Sequence, residues 1–149
     1  DLDPVVLAVV LAVQRKLGFE DAVNSAGLKL AVSQTAYWEM DKANQVVSAL
    51  VTEHQDLKAI LCANDSMALG AETALRAAGK AGAILVCGFD NISAVKTMLK
   101  DGRIVCTVDQ HADQLAVFGI EYALKMLKSK EKPADQETPV DLVTADTVK

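Results

Sequence analysis

A chain of 149 residues is long enough for one α/β core and too short for two well-formed ones. Apolar residues make up 51% and charged residues 23%, the balance of an ordinary folded domain, while aromatic residues are only 4%. Twenty acidic against fifteen basic side chains give a net charge of −5, which excludes the basic stripe that nucleic acid would require.

Asp1–Leu11 carries no basic stretch and opens on an acid, so it reads as the start of a mature or trimmed chain rather than a secretory leader. Val5 to Val13 is apolar throughout but reaches only half of a membrane span. Two structures suit it. Asp3 and Pro4 could open a helix that runs on into residues 15–26, or Val5–Val10 could be a short strand; the helix is the preferred reading. Leu28–Ser33 then predicts a strand after Gly27. Ala43, Val46, Val47, Leu50 and Val51 form one helical stripe, followed by a strand over Leu57–Ala63. Met67, Ala71, Ala74, Leu75 and Ala78 form a second stripe, with Gly79 placed as its C-terminal cap. Ala83–Phe89 is a third strand, continuous in apolar residues as buried parallel strands are. A short helix over Ile92–Lys100 ends at Gly102, and Arg103–Asp109 is the fourth strand. Each gap between strands fits one crossover helix, which predicts a doubly wound, flavodoxin-like parallel sheet covered on both faces. The three cysteines, Cys62, Cys87 and Cys106, form no CxxC and no metal-ligand pattern, and each falls inside an apolar run, so all three are expected to be buried and inert.

Such a sheet binds ligands at the carboxyl ends of its strands. Those ends read Ser33-Gln34-Thr35-Ala36-Tyr37-Trp38, Asn64-Asp65, Asp90-Asn91 and Asp109-Gln110. Carboxylates and amides bridge neighbouring hydroxyls, and an indole face covers the C–H side of a sugar ring. Nucleotide loops, a GxSxG elbow and a histidine pair at ligand spacing are all missing, so neither catalysis, cofactor nor metal is expected.

Several motifs together resemble the ribose-type periplasmic sugar-binding proteins, from about Val13 to the end. They are RKLGFEDAV at 15–23, SQTAYW at 33–38, CANDSMALGAETALRAAGK at 62–80, VCGFDN at 86–91 and TVDQ at 107–110. The resemblance is to the C-terminal lobe of that family, within the superfamily that also holds lac-repressor-type effector domains. It implies a lobe of the periplasmic-binding-protein-like I fold that meets sugar through Arg15, Trp38, Asn64, Asp90 and Gln110. It also implies an ABC permease as partner of the intact protein and a periplasmic or lipid-anchored location. Residues 1–12 depart from the family pattern, residues 13–110 carry the lobe, and residues 111–149 a C-terminal helix and return segment. The family's first lobe has no counterpart here, so the chain reads as half of a clamp, or as a lobe isolated or rebuilt to fold alone.

Each site residue has a plainer role. Asp90 and Asn64 could be helix caps, although Asp65 or Ser66 is the expected cap for the helix after Asn64. Trp38 could be core, and Arg15 a solvated helix residue. His111 and His54 are set aside, and Lys125, Lys128, Lys130 and Lys132 suit a helix C-terminus. The alternative function is the cytoplasmic effector domain of a lac-repressor-type regulator, which the reduced cysteines suit slightly. Residues 111–130 carry Leu115, Phe118, Tyr122 and Met126 on one side and Ile120, Leu124 and Leu127 on another. A helix that broad wants two partners, so a homodimer through 111–130 is expected.

Overall fold

The computed structural model describes residues 6–10, 13–130, 132 and 134–148. Its elements in chain order are β1 (Val6–Val10), α1 (Val13–Ser25), β2 (Lys29–Ser33), α2 (Met40–Glu53), β3 (Leu57–Cys62) and α3 (Asp65–Ala77). There follow β4 (Leu85–Cys87), α4 (Ser93–Lys100), β5 (Cys106–Asp109), α5 (Ala112–Ser129) and β6 (Asp141–Thr144). The sheet order is β2-β1-β3-β4-β5-β6, parallel throughout except for β6, which runs antiparallel to β5 at the edge. The flavodoxin-like parallel sheet expected from the sequence is the sheet observed.

The N-terminal helix preferred above is corrected. Val6–Val10 is a strand, in register with β2 on one side and β3 on the other, for example Val9 beside Ser33 and Leu61. Strands of a parallel sheet covered on both faces read as near-continuous apolar runs, in which helix and strand periods cannot be told apart. The helix expected over 15–26 is α1, which begins at Val13. Asp3 and Pro4, offered as its opening, lie outside the described residues.

One face of the sheet holds the main core. Ile60, Cys62 and Val86 pack there with Val47 and Leu50 of α2, Met67, Ala71 and Leu75 of α3, and Leu99 of α4. Gly70 lets α2 and α3 close: a Cβ there would lie 2.1 Å from the Met40 carbonyl oxygen. On the other face α1 contributes Val23, which packs with Ala59, Leu28, Leu30 and Leu61. Gly79 (φ +67) ends α3 as expected, with the Lys80 N–H returning to Leu75 O at 2.8 Å. Gly102 ends α4 in the same manner, with Arg103 N–H to Met98 O at 2.9 Å.

Helix α5 differs from the others, because it contains no buried residue. Ile120 is 64% and Leu127 78% exposed. The helix therefore leaves the sheet instead of lying on it, and the chain returns as β6, inside the expected return segment Pro139–Ala145. No helix among the described residues is long and apolar enough to cross a membrane.

Candidate functional site

The five residues singled out at the strand ends come together around one side chain, Arg15 of α1. Its guanidinium donates to Ala63 O at the end of β3 and to Gln110 Oε1 after β5, at 3.3 Å. It lies 3.5 Å from Asp90 Oδ1, and the same oxygen accepts from Gln110 Nε2 at 2.8 Å. Arg15 is sandwiched between rings, with its Cζ 3.7 Å from the centroid of Phe89 and 5.6 Å from that of Trp38. Asn64 joins the group by donating to Trp38 O at 3.3 Å. Arg15 is thus no solvated helix residue; both it and Asp90 keep under a third of their side-chain surface exposed.

Electrostatics follow from that half-burial. Desolvation pushes the Asp90 carboxyl above the usual carboxylate range, and the Arg15 cation partly counters the rise. Trp38 remains 43% exposed in the loop after β2, with its plane at the edge of the group rather than in the core.

The backbone around the site is unusual. Tyr37 (φ 52), Trp38 (φ 67), Asp90 (φ 111), Asn91 (φ 53) and His111 (φ 52) all occupy the left-handed region without being glycine. Each such residue costs on the order of 1–3 kcal/mol, and the strain gathers at the strand ends that carry the Arg15 group.

Asp65 braces the site from beneath. Fully buried, its carboxylate accepts from Thr107 Oγ1 at 2.7 Å and Ile92 N–H at 2.9 Å, tying α3 to β5 and to the start of α4. Burial raises its pKa, and the two donated hydrogen bonds oppose the rise. Gly88 leaves room for this brace, since a Cβ there would meet Asp65 Oδ1 at 2.0 Å. The expectation that Asp65 or Ser66 caps α3 is corrected: Asn64 is the cap, its Oδ1 accepting from Met67 N–H at 2.9 Å. Asn64 keeps its amide nitrogen for the site, so it serves both purposes. Asp90 is not a cap, because the residue at that position of α4 is Ile92.

Other contributors were not singled out as site residues, although Asn91 and Asp109 stand among the polar strand ends. Phe89 supplies the floor under Arg15, although it reads as the last apolar residue of a strand. Asn91 Nδ2 donates to Asp109 Oδ2 at 2.9 Å, and Asp109 Oδ1 accepts from His111 N–H at 2.8 Å. These two bonds, Asn91 first, hold the Asp109 carboxyl below its usual range. His111 Nε2 lies 2.9 Å from Asp141 Oδ2, so this histidine links the root of α5 to β6. The cysteine expectation needs correcting as well. Cys62 is buried, its thiol pushed up to about 12 by desolvation, but Cys87 and Cys106 are only half-buried and lie side by side.

Comparison with known proteins shows the family. Residues 7–131 match the periplasmic binding protein domain. The chain belongs to that family. Among curated members it is 55% identical over 138 residues to the D-ribose/D-allose-binding protein of Pseudomonas aeruginosa, covering 90% of this chain and 43% of the relative. Periplasmic binding proteins also supply the structural likenesses. An ABC transporter solute-binding protein from Burkholderia multivorans matches with a TM-score of 0.88 and 49% identity, over 95% of this chain and 53% of that one. The Caulobacter myo-inositol binding protein, solved with myo-inositol, matches at 0.92 and 28% identity, over 97% of this chain and 53% of that one. The resemblance to the ribose-type branch is therefore borne out, and the chain spans about half the length of the relatives it matches, as one lobe of the periplasmic binding protein fold would.

Proposed function

We propose that this chain is a sugar-binding lobe of an ABC-importer solute-binding protein, and that Arg15, Trp38, Asn64, Asp90 and Gln110 contact a neutral monosaccharide. The observation that carries the reading is the Arg15–Asp90–Gln110 network with Trp38 at its edge. A guanidinium, a carboxylate and an amide already bonded to one another present fixed donors and acceptors to vicinal hydroxyls, and the indole offers a stacking plate. The names of the relatives agree in chemistry: ribose, allose and myo-inositol are all uncharged polyhydroxylated molecules. They are also binding proteins, which favours this reading over a transcription regulator's effector domain and over an enzyme. In the whole protein the lobe would work in the periplasm and hand its ligand to an ABC permease. Residues 13–110 together with β1 make up the binding lobe, and residues 111–149 are the excursion and its return, which ends in β6.

Titration calorimetry of this chain against a panel of pentoses and hexoses tests the proposal. With one lobe contributing, the dissociation constant is expected to be millimolar or weaker, roughly 4 kcal/mol or less. A submicromolar constant would show that one lobe suffices, and heat from none of the sugars at high millimolar concentration would count against the site.

A further inference from the structure

Cys87 and Cys106 sit opposite one another in register on the adjacent parallel strands β4 and β5. Both face away from α3. Their strand neighbours Val86 and Thr107 are buried on the α3 side, where Thr107 reaches Asp65, and side chains alternate along a strand. Helix α1 covers the first half of the opposite face, around Ala59 and Leu61, but the half carrying Leu85, Cys87 and Cys106 is open, with Leu85 50% exposed. The two thiols are free and half-buried, side by side across the two strands. Neighbouring strands lie about 4.8 Å apart, within the roughly 4.4–6.8 Å Cα separation that a disulfide spans.

We propose that Cys87 and Cys106 form a reversible dithiol site that exchanges with low-molecular-weight disulfides to make a cross-strand bond between β4 and β5, with Cys106 as the attacking sulfur. The Cys106 thiolate displaces one thiolate from the small disulfide and becomes a mixed disulfide. Cys87, losing its proton, then attacks the Cys106 sulfur and expels the second small thiolate. Two protein thiols thus give up two electrons and two protons, which leave on two small thiol molecules. The two sulfurs are not equivalent. The interaction between the two thiols lowers the pKa of Cys106, which holds its thiolate more readily, and raises that of Cys87. Cys62, on the other face and fully buried, takes no part. A bond between these half-buried cysteines is within reach of small thiols, which reduce it by the same exchange.

Intact-mass spectrometry of the chain incubated with oxidised glutathione tests the site. The expected product has lost two hydrogen masses, retains one thiol titratable after unfolding, and returns to the starting mass with dithiothreitol. Cys87→Ser should instead accumulate one stable glutathione adduct mapped to Cys106, and Cys106→Ser should stay largely unmodified. A wild-type mass that does not change, or that shows only glutathione adducts, would overturn the pair. An adduct trapped in Cys106→Ser but not in Cys87→Ser would overturn the assignment of the attacking sulfur.

Discussion

Single side chains set the chemistry here, and Arg15 sets most of it. Because the Asp90 carboxyl is already raised by burial and only partly restrained by Arg15, Arg15→Met should raise it further. A sugar that hydrogen-bonds the ionised carboxylate loses affinity as pH falls through that pKa. The acid limb of binding should therefore move to higher pH in the variant; a limb that does not move would separate Arg15 from Asp90. Trp38→Ala should weaken sugar binding by about 0.5–1.5 kcal/mol beyond the lost contact area. The unfolding midpoint should hardly change, because the ring is 43% exposed in a loop. If the variant unfolds, Trp38 belongs to the core. The sequence made all five residues legible only as a set, through motif resemblance. Phe89 and Asn91 stayed hidden because their roles depend on what lies across the sheet, Arg15 over one and Asp109 beside the other.

At the level of elements, close packing rests on two glycines whose missing side chains are spoken for. Gly70→Ala would drive a methyl group into the Met40 backbone carbonyl, which cannot turn aside, so α2 and α3 must separate. A loss of about 1–3 kcal/mol is expected, read as a lower urea midpoint at unchanged slope; an unaltered midpoint would mean that the two helices slide freely. Gly88→Ala should cost stability as well, by displacing the Asp65 carboxylate from Thr107 and Ile92. Helices and their C-terminal ends were readable from the sequence because amphipathic stripes and capping glycines are local signals, whereas the start of α3 was not, since Asn64 rather than Asp65 or Ser66 caps it. Strand β1 was misread for the opposite reason: it lies between two strands that are distant in sequence, and only that placement makes Val6–Val10 extended. The side-by-side approach of Cys87 and Cys106 was invisible on the same ground, since register between β4 and β5 is a tertiary property.

For the molecule as a whole, the unsettled surface is α5. Leu115, Ile120, Leu124 and Leu127 are all exposed, and each large side chain left in water forgoes roughly 1.5–3 kcal/mol. The 149-residue chain is therefore expected to self-associate through residues 111–130, as a two-fold dimer or by exchange of the returning segment. Light scattering at micromolar concentration checks this, and a strict monomer would reject it. The breadth of the apolar surface was legible in the sequence, and the excursion and its return in the family resemblance. That path has a mechanical consequence. Asp109 pairs with Asp141, so residues 110–140 form an excursion rooted at two adjacent strands. Closing a loop of about thirty residues costs roughly 3 kcal/mol in its length-dependent part, and the root is pinned by the His111–Asp141 contact and by Thr138 donating to the Gln110 carbonyl. A pull or twist on α5 therefore reaches the lobe at one corner, where Asp109 and Gln110 end their strand. The excursion is a lever whose fulcrum lies beside the site.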